Sequence, residues 1–168
     1  MTIQLRHETP ADSAAIETVT TAAFLHAPHS SHTEQFIVNA LRAAGALVLS
    51  LVALDDGDVV GHAAISPVTL SGGEALWYGL GPVSVLPDYQ SRGIGSQLIR
   101  RLLRELEAGG AAGCVVLGEP DYYGRFGFRH EPRLALPGVP PAYFQAIAFS
   151  GEVPAGQVAY HEAFAATG

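Results

Sequence analysis

Six residues, Gln90-Ser91-Arg92-Gly93-Ile94-Gly95, have types and spacing that suit an anion. Two glycines let the backbone approach a ligand and turn successive N–H groups toward it, and a helix starting there adds partial positive charge. The chemistry this serves is the cradling of a pyrophosphate. Two rival uses of a Gly-rich loop fail on spacing. A Walker loop needs Gly-Lys-Ser/Thr after four intervening residues, and a dinucleotide fingerprint needs a third glycine where Leu98 stands. A helix start that binds nothing is the plain alternative. All nine basic residues are arginine, which excludes mechanisms built on a lysine Schiff base or a P-loop lysine. Four of them, Arg92, Arg100, Arg101 and Arg104, fall within thirteen residues, either as a local site for a small anion or as the solvated face of a helix.

Two other groups invite chemistry. His26, His29 and His32 are spaced like metal ligands, yet a Pro-containing loop offers no fixed tetrahedral geometry and only Glu34 stands near to complete a set. No metal is expected, and the segment reads as a solvated loop that contacts a substrate. Cys114 lies inside an apolar stretch, where a thiol acts as a small buried hydrophobe rather than a nucleophile.

The frame for these residues is bounded by composition. With 168 residues, 48% hydrophobic and 15% charged, the chain has the material for one domain, 1–168, and is neither disordered nor collagen-like. Sixteen acids against nine bases leave a formal charge of −7, which opposes a nucleic-acid groove. A single cysteine cannot form an internal disulfide, and Thr2 to Glu8 lacks the apolar core of a signal peptide, so a cytoplasmic location is expected. No apolar run approaches the ~18 residues needed to span a bilayer, so no membrane association is expected.

Periodicity supplies the elements. Ile3 to Arg6 reads as a strand, and Thr9-Pro10-Ala11-Asp12 as the start of a helix reaching about Phe24. Thr33 caps a second helix in which Phe36, Ile37, Ala40, Leu41 and Ala44 share a face before Gly45 stops it. Leu47 to Leu54 and Val59 to Thr69 are strands joined by a hairpin at Asp55-Asp56-Gly57-Asp58, and Ala75 to Leu86 is a third, all antiparallel. Ile94, Leu98, Leu102 and Leu106 make the stripe of a helix that ends at Gly109-Gly110, and Gly113 to Leu117 reads as a buried parallel strand. A turn of helix from Tyr122 to Phe126, a Pro-rich stretch from Pro137 to Pro141, and strands near Tyr143 to Phe149 and Gln157 to Tyr160 follow. The fold class is α/β with a mixed sheet.

With Gln90 to Gly95 placed between strand and helix, the sequence resembles the GNAT superfamily of acyl-CoA N-acyltransferases, whose loop reads Gln/Arg-x-x-Gly-x-Gly/Ala. The likeness extends to Val83-Ser84-Val85-Leu86-Pro87-Asp88-Tyr89 before the loop and to Tyr123-Gly124-Arg125-Phe126-Gly127-Phe128 after the next strand. The Tyr122 to Phe128 run and the Tyr160-His161-Glu162-Ala163-Phe164 ending are similar to a bacterial subgroup called YhbS-like, so the resemblance covers nearly the whole chain. It implies a GNAT-like, mostly antiparallel sheet whose central parallel pair splays to admit acyl-CoA, with the break at Gly79-Leu80-Gly81-Pro82. It implies acetyl-CoA as cosubstrate, with no metal. Val83, Ser84 and Val85 would meet the pantetheine arm through backbone groups, and Gln90, Ser91, Arg92, Gly93, Ile94, Gly95 and Ser96 the pyrophosphate. Tyr123 corresponds to the general acid that protonates the departing thiolate, with packing beside Tyr122 and Phe126 as its other reading.

The general base is open. No carboxylate lies between Leu76 and Leu86, where many members keep a Glu, which leaves Glu119, His62 or a water chain. The expected activity is acetyl transfer from acetyl-CoA to a primary amine of a small molecule or peptide, by direct attack in a ternary complex. A non-catalytic acyl-CoA sensor is the alternative. The −7 charge and the His26 to Glu34 segment favour a cationic acceptor. The acceptor is not named by these residues, and a homodimer stays open.

Overall fold

Arg6 and Asp12 set the first turn of the chain. In the computed structural model, which describes residues 2–28 and 30–168, strand β1 (Ile3–His7) presents Arg6, whose guanidinium donates to both Asp12 carboxylate oxygens at 2.7 and 3.1 Å. Asp12 also accepts the Thr9 backbone N–H at 2.7 Å. Held this way, Pro10–Asp12 winds as a 3-10 turn before helix α1 (Ser13–Phe24), three residues later than the sequence pattern suggests. Helix α2 (Glu34–Ala43) follows, with Thr33 at its N-cap and Gly45 at φ 69° just past its end. Its buried residues are Ile37, Val38 and Leu41, so Val38 belongs to the apolar face.

Strands β2 (Leu49–Asp55) and β3 (Asp58–Leu70) form the expected hairpin. Asp56 and Gly57 both have positive φ, 49° and 84°, the pairing a two-residue hairpin turn with strand-matched twist requires. Strand β4 (Trp77–Val85), helix α3 (Ile94–Ala108) and strand β5 (Gly113–Leu117) make the strand, helix, strand crossover, and β4 pairs with β5 in parallel. A short helix α4 (Pro120–Gly124) begins two residues before the expected turn because Pro120 takes its first position. A two-residue strand β6 (Leu134–Ala135) was not foreshadowed, and strands β7 (Phe144–Ala148) and β8 (Gly156–Tyr160) complete the set.

These elements gather into two compact units. One takes in Met1–Ile65, Gly81–Leu102 and Glu162–Gly168, the other Ser66–Leu80 and Leu103–His161, with β3, β4 and α3 running on from one into the other. In the first, β1, β2 and β3 pair antiparallel. Ile16 of α1 and Val38 of α2 pack on Val52 and Leu54 of β2. Gly61 turns the other way, toward Ile94 and Leu98 of α3, so helices cover both faces of these strands. In the second unit β5 lies between β4 and β7, parallel to one and antiparallel to the other, while β8 pairs antiparallel with the end of β3 and parallel with β6. Its core includes Val68, Leu70, Trp77, Val115, Phe144 and Val158. The sheet of the described residues is therefore mixed and mostly antiparallel, as expected.

Candidate active site

The loop after β4 is built by its own side chains. Gln90 donates its side-chain N–H to Val85 O at 3.0 Å, which ties the loop back to the strand. Tyr89 donates to Asp55 at 2.7 Å, and Arg92 stacks over the Tyr89 ring at 5.4 Å. Ser91 and Gly93 take positive φ, 64° and 82°, on either side of Arg92. Alternation of this kind curls backbone N–H groups inward to form an anion-binding concavity. Gln97 N donates to Gly93 O at 3.0 Å as the chain enters α3, and Ile94 and Gly95 open the helix at the positive end of its dipole. Ile94 is fully buried and anchors this end, while Ser91, Arg92 and Gly93 are exposed.

Strand β4 changes neighbours halfway. Its parallel ladder with β5 runs from Trp77↔Gly113 to Leu80↔Val116, and β4 continues beyond it to Val85. Gly81, at φ 132°, and Pro82 stand where the ladder ends, and the peptide between them is cis. Gly79 serves packing instead, since an added Cβ would lie 3.0 Å from the Tyr160 ring and 3.1 Å from Val68; the glycine makes room for Tyr160 inside the ladder. Past the break, Leu86 donates its N–H to Val60 O at 2.9 Å. Along a strand, successive residues turn their backbone groups to opposite neighbours. The backbones of Val83 and Val85 therefore point away from β3, while that of Ser84 points toward it.

Tyr123 sits on α4, its N–H bonded to Glu119 O at 3.0 Å. Its ring meets those of Tyr122 and Phe128 edge to face, with centroids 5.0 and 6.1 Å apart, and lies against Gly118. Burial, and secondarily the nearby Tyr122, push its hydroxyl up to about 12. It is therefore a protonated donor at neutral pH, as an acid for a thiolate must be.

Among the other residues singled out, Glu119 is exposed at the N-cap of α4. His26 and His32 are exposed, His29 lies outside the described residues, and Glu34 accepts from Ser30 at 2.9 Å. Among the described residues no three His, Cys, Asp or Glu side chains converge as a metal site. Cys114 is fully buried, and burial pushes its thiol far up, so it packs as a small apolar side chain.

His62 belongs to a polar chain that sequence reasoning missed. Arg42 on α2 grips Glu8 with two N–H groups at 2.9 and 3.0 Å. Ser50 donates its hydroxyl to Glu8 Oε1, and Ser50 Oγ lies 2.7 Å from His62 Nε2. Burial pulls the Glu8 carboxyl up, but the bonds from Arg42 and Ser50 outweigh it and hold Glu8 below its usual value. Burial lowers the His62 imidazole to about 4, partly opposed by Glu8 and reinforced by Arg42, so the ring is neutral at pH 7. Glu8, Arg42 and Ser50 line a pocket of about 280 Å³ together with Leu47 and Val48. The only signal in the sequence is a polar residue in each of two apolar strands, which does not say that they meet.

Residues 47–130 match the model of the acetyltransferase (GNAT) domain. Over 168 aligned residues the chain is 37% identical to the N-acetyltransferase YhbS of Escherichia coli (strain K12), covering 95% of this chain and 97% of that protein. A GNAT family acetyltransferase from Brucella melitensis, solved in complex with acetyl-CoA, superposes with a TM-score of 0.87 at 52% identity, over 97% of this chain and 98% of the other. YhbS from E. coli, solved in complex with CoA, gives a TM-score of 0.88 at 34% identity, over 99% and 93%. The likeness to YhbS read from the Tyr122 to Phe128 run and the Tyr160 ending thus extends along nearly the full length. The parallel β4–β5 pair, the loop at Gln90 to Gly95 and these relationships agree: this chain belongs to the GNAT family of N-acetyltransferases.

Proposed function

We propose that the chain, as one N-acetyltransferase domain over 1–168, transfers the acetyl group of acetyl-CoA to a primary amine by direct attack in a ternary complex. The observation that carries this is the curled loop at Ser91 to Gly93 heading α3, in a chain whose relatives from Brucella melitensis and E. coli were solved with acetyl-CoA and CoA. Backbone amides at Gly93 to Ser96 hold the pyrophosphate, with the loop kept in place by Gln90. The backbones of Val83 and Val85 meet the pantetheine amides, and Tyr123 gives its proton to the departing thiolate. No metal takes part. The acceptor is a small-molecule or peptide amine, favoured when cationic because the chain carries −7. The lone buried Cys114 suits a reducing cytoplasm.

Release of free CoA thiol from acetyl-CoA, followed over a panel of small amines, peptide amino termini and lysine side chains, tests the reaction. Gly95→Val, which adds bulk at the second residue of α3, should weaken CoA binding in calorimetry at least roughly tenfold, about 1.4 kcal/mol. Unchanged affinity would remove the cradle from this loop. The lack of a carboxylate on β4 favours one second reading, an acyl-CoA sensor, which would bind CoA tightly yet turn over none of the panel.

A further inference from the structure

Strand β4 carries no carboxylate, so a base for the transfer has to come from a neighbouring element. β4 lies between β3 and β5, its ladder with β5 stops at Leu80, and the Leu86 N–H to Val60 O bond brings the stretch of β4 holding Ser84 alongside the stretch of β3 holding His62. Both side chains are buried, and His62 Nδ1 and Ser84 Oγ have no hydrogen-bond partner among the described residues. A buried polar nitrogen left without a partner costs about 1–3 kcal/mol, so its retention calls for an explanation.

The hydrogen bonds settle which nitrogen that is chemically. A carboxylate only accepts, so the Ser50 hydroxyl proton is committed to Glu8. Ser50 Oγ can then only accept from His62, which makes Nε2 the protonated nitrogen and leaves Nδ1 with its lone pair. Arg42 fixes Glu8, Glu8 fixes Ser50, and Ser50 fixes the ring.

Resting on the acetyl-transfer reading above, we propose that His62 is its general base, with Nδ1 taking the proton of the acceptor amine, and that Ser50, Glu8 and Arg42 are positioning residues behind it. The amine lone pair forms the N–C bond to the thioester carbon. The C–S bond breaks with its electron pair on sulfur, and the proton made acidic on nitrogen passes to Nδ1. The imidazolium is balanced by Glu8, whose Oε1 lies 4.0 Å from Nε2. As the products leave, Nδ1 gives its proton up to water, while Nε2 keeps its proton on Ser50 and Ser50 keeps its own on Glu8, so the ring returns to the tautomer it started from. The charged groups acting on the ring are Glu8, from the end of β1, and Arg42, from α2. A neutral ring at pH 7 is ready to accept a proton.

The test uses the full chain, acetyl-CoA and the fastest amine of the panel. His62→Gln keeps an N–H donor toward Ser50 but has no basic nitrogen, so kcat should fall about 10²-fold with CoA affinity within about twofold of wild type. His62→Ala opens space for a ring, and added imidazole should restore part of the lost rate in proportion to its concentration. In histidine-labelled ¹⁵N NMR of the wild type, His62 should be neutral with its proton on Nε2. A His62→Gln variant that keeps wild-type kcat would overturn the base and leave acetyl transfer standing. A crippled His62→Ala that binds CoA but ignores imidazole would make the role structural, and a proton on Nδ1 would equally end the proposal. A wild-type chain that binds CoA but acetylates no panel amine sinks the transfer reading itself, and the base with it.

Discussion

Gly118→Ala should disable the proposed acid, Tyr123, by displacing its ring. An alanine Cβ there would lie 2.3 Å from Tyr123 Cε2, 2.9 Å from Cδ2 and 3.4 Å from Cζ. Comfortable carbon–carbon contacts begin near 3.5 Å, so the ring must retreat by about 1.2 Å. It has little room to do so, because Tyr122, Phe126 and Phe128 close on it edge-on or tilted. Overpacking of this kind costs about 1–3 kcal/mol, which lowers Tm by roughly 2–4 °C per kcal/mol in a chain of this size. A displacement of about 1 Å at a reacting group costs on the order of 10²-fold in rate. The expected result is a hundredfold lower kcat in single-turnover thiol release, a Tm lower by a few degrees, and an unchanged KM for acetyl-CoA. Tyr123→Phe, which removes the hydroxyl and keeps the ring, should lose a similar factor, and adding Gly118→Ala to it should lose little more. Full activity in Gly118→Ala, or a second hundredfold loss in the double variant, would refute the claim that Gly118 acts through the Tyr123 hydroxyl.

Two further outcomes follow from packing and charge. At Gly113 an alanine Cβ would fall 2.3 and 2.5 Å from the Trp77 ring and 2.6 Å from the Ile147 carbonyl, and because backbone cannot swing aside, Gly113→Ala should cost about 3 kcal/mol in denaturant unfolding; a loss under about 1 kcal/mol would show that the strands can part. Burial holds the folded His62 near 4 against 6.5 for a free ring, so between those values the unfolded chain binds a proton that the folded chain refuses, and stability drops as pH falls through this window by on the order of 1 kcal/mol per unit. The Tm of His62→Gln should fall less steeply over the same range, and parallel curves would contradict the buried neutral ring.

The pieces of this protein that were legible in its sequence are those decided within a few residues. The stripe Ile94, Leu98, Leu102 and Leu106 marks α3 because helix sterics repeat every turn, and all four are buried. Asp56-Gly57 marks a hairpin because few residues accept two successive positive φ values. Gln90 to Gly95 marks a strand-to-helix junction because glycine accepts the positive φ that Gly93 takes there, though that Gln90 spends its side chain on Val85 was not readable. The helical start at Pro10 behind Thr9 was readable, but not that its first turn is 3-10, because the bond from Arg6 that holds Asp12 comes from a separate strand.

What lay beyond the sequence was every meeting between distant residues. Glu8, Arg42, Ser50 and His62 come from the end of β1, from α2, from β2 and from β3, and nothing in the separate segments ties them together. They meet because β2 pairs with β3 as Val52↔His62 and Ser50↔Ala64, which sets Ser50 and His62 on one face. A slip of one residue would turn one of them to the opposite face and cut the chain of bonds. Local periodicity comes from short-range sterics that each segment carries alone, whereas register and face are chosen by how the whole set of apolar side chains can be buried at once. The loop and the helix could therefore be read residue by residue, while the buried histidine and its partners exist only once the strands have aligned.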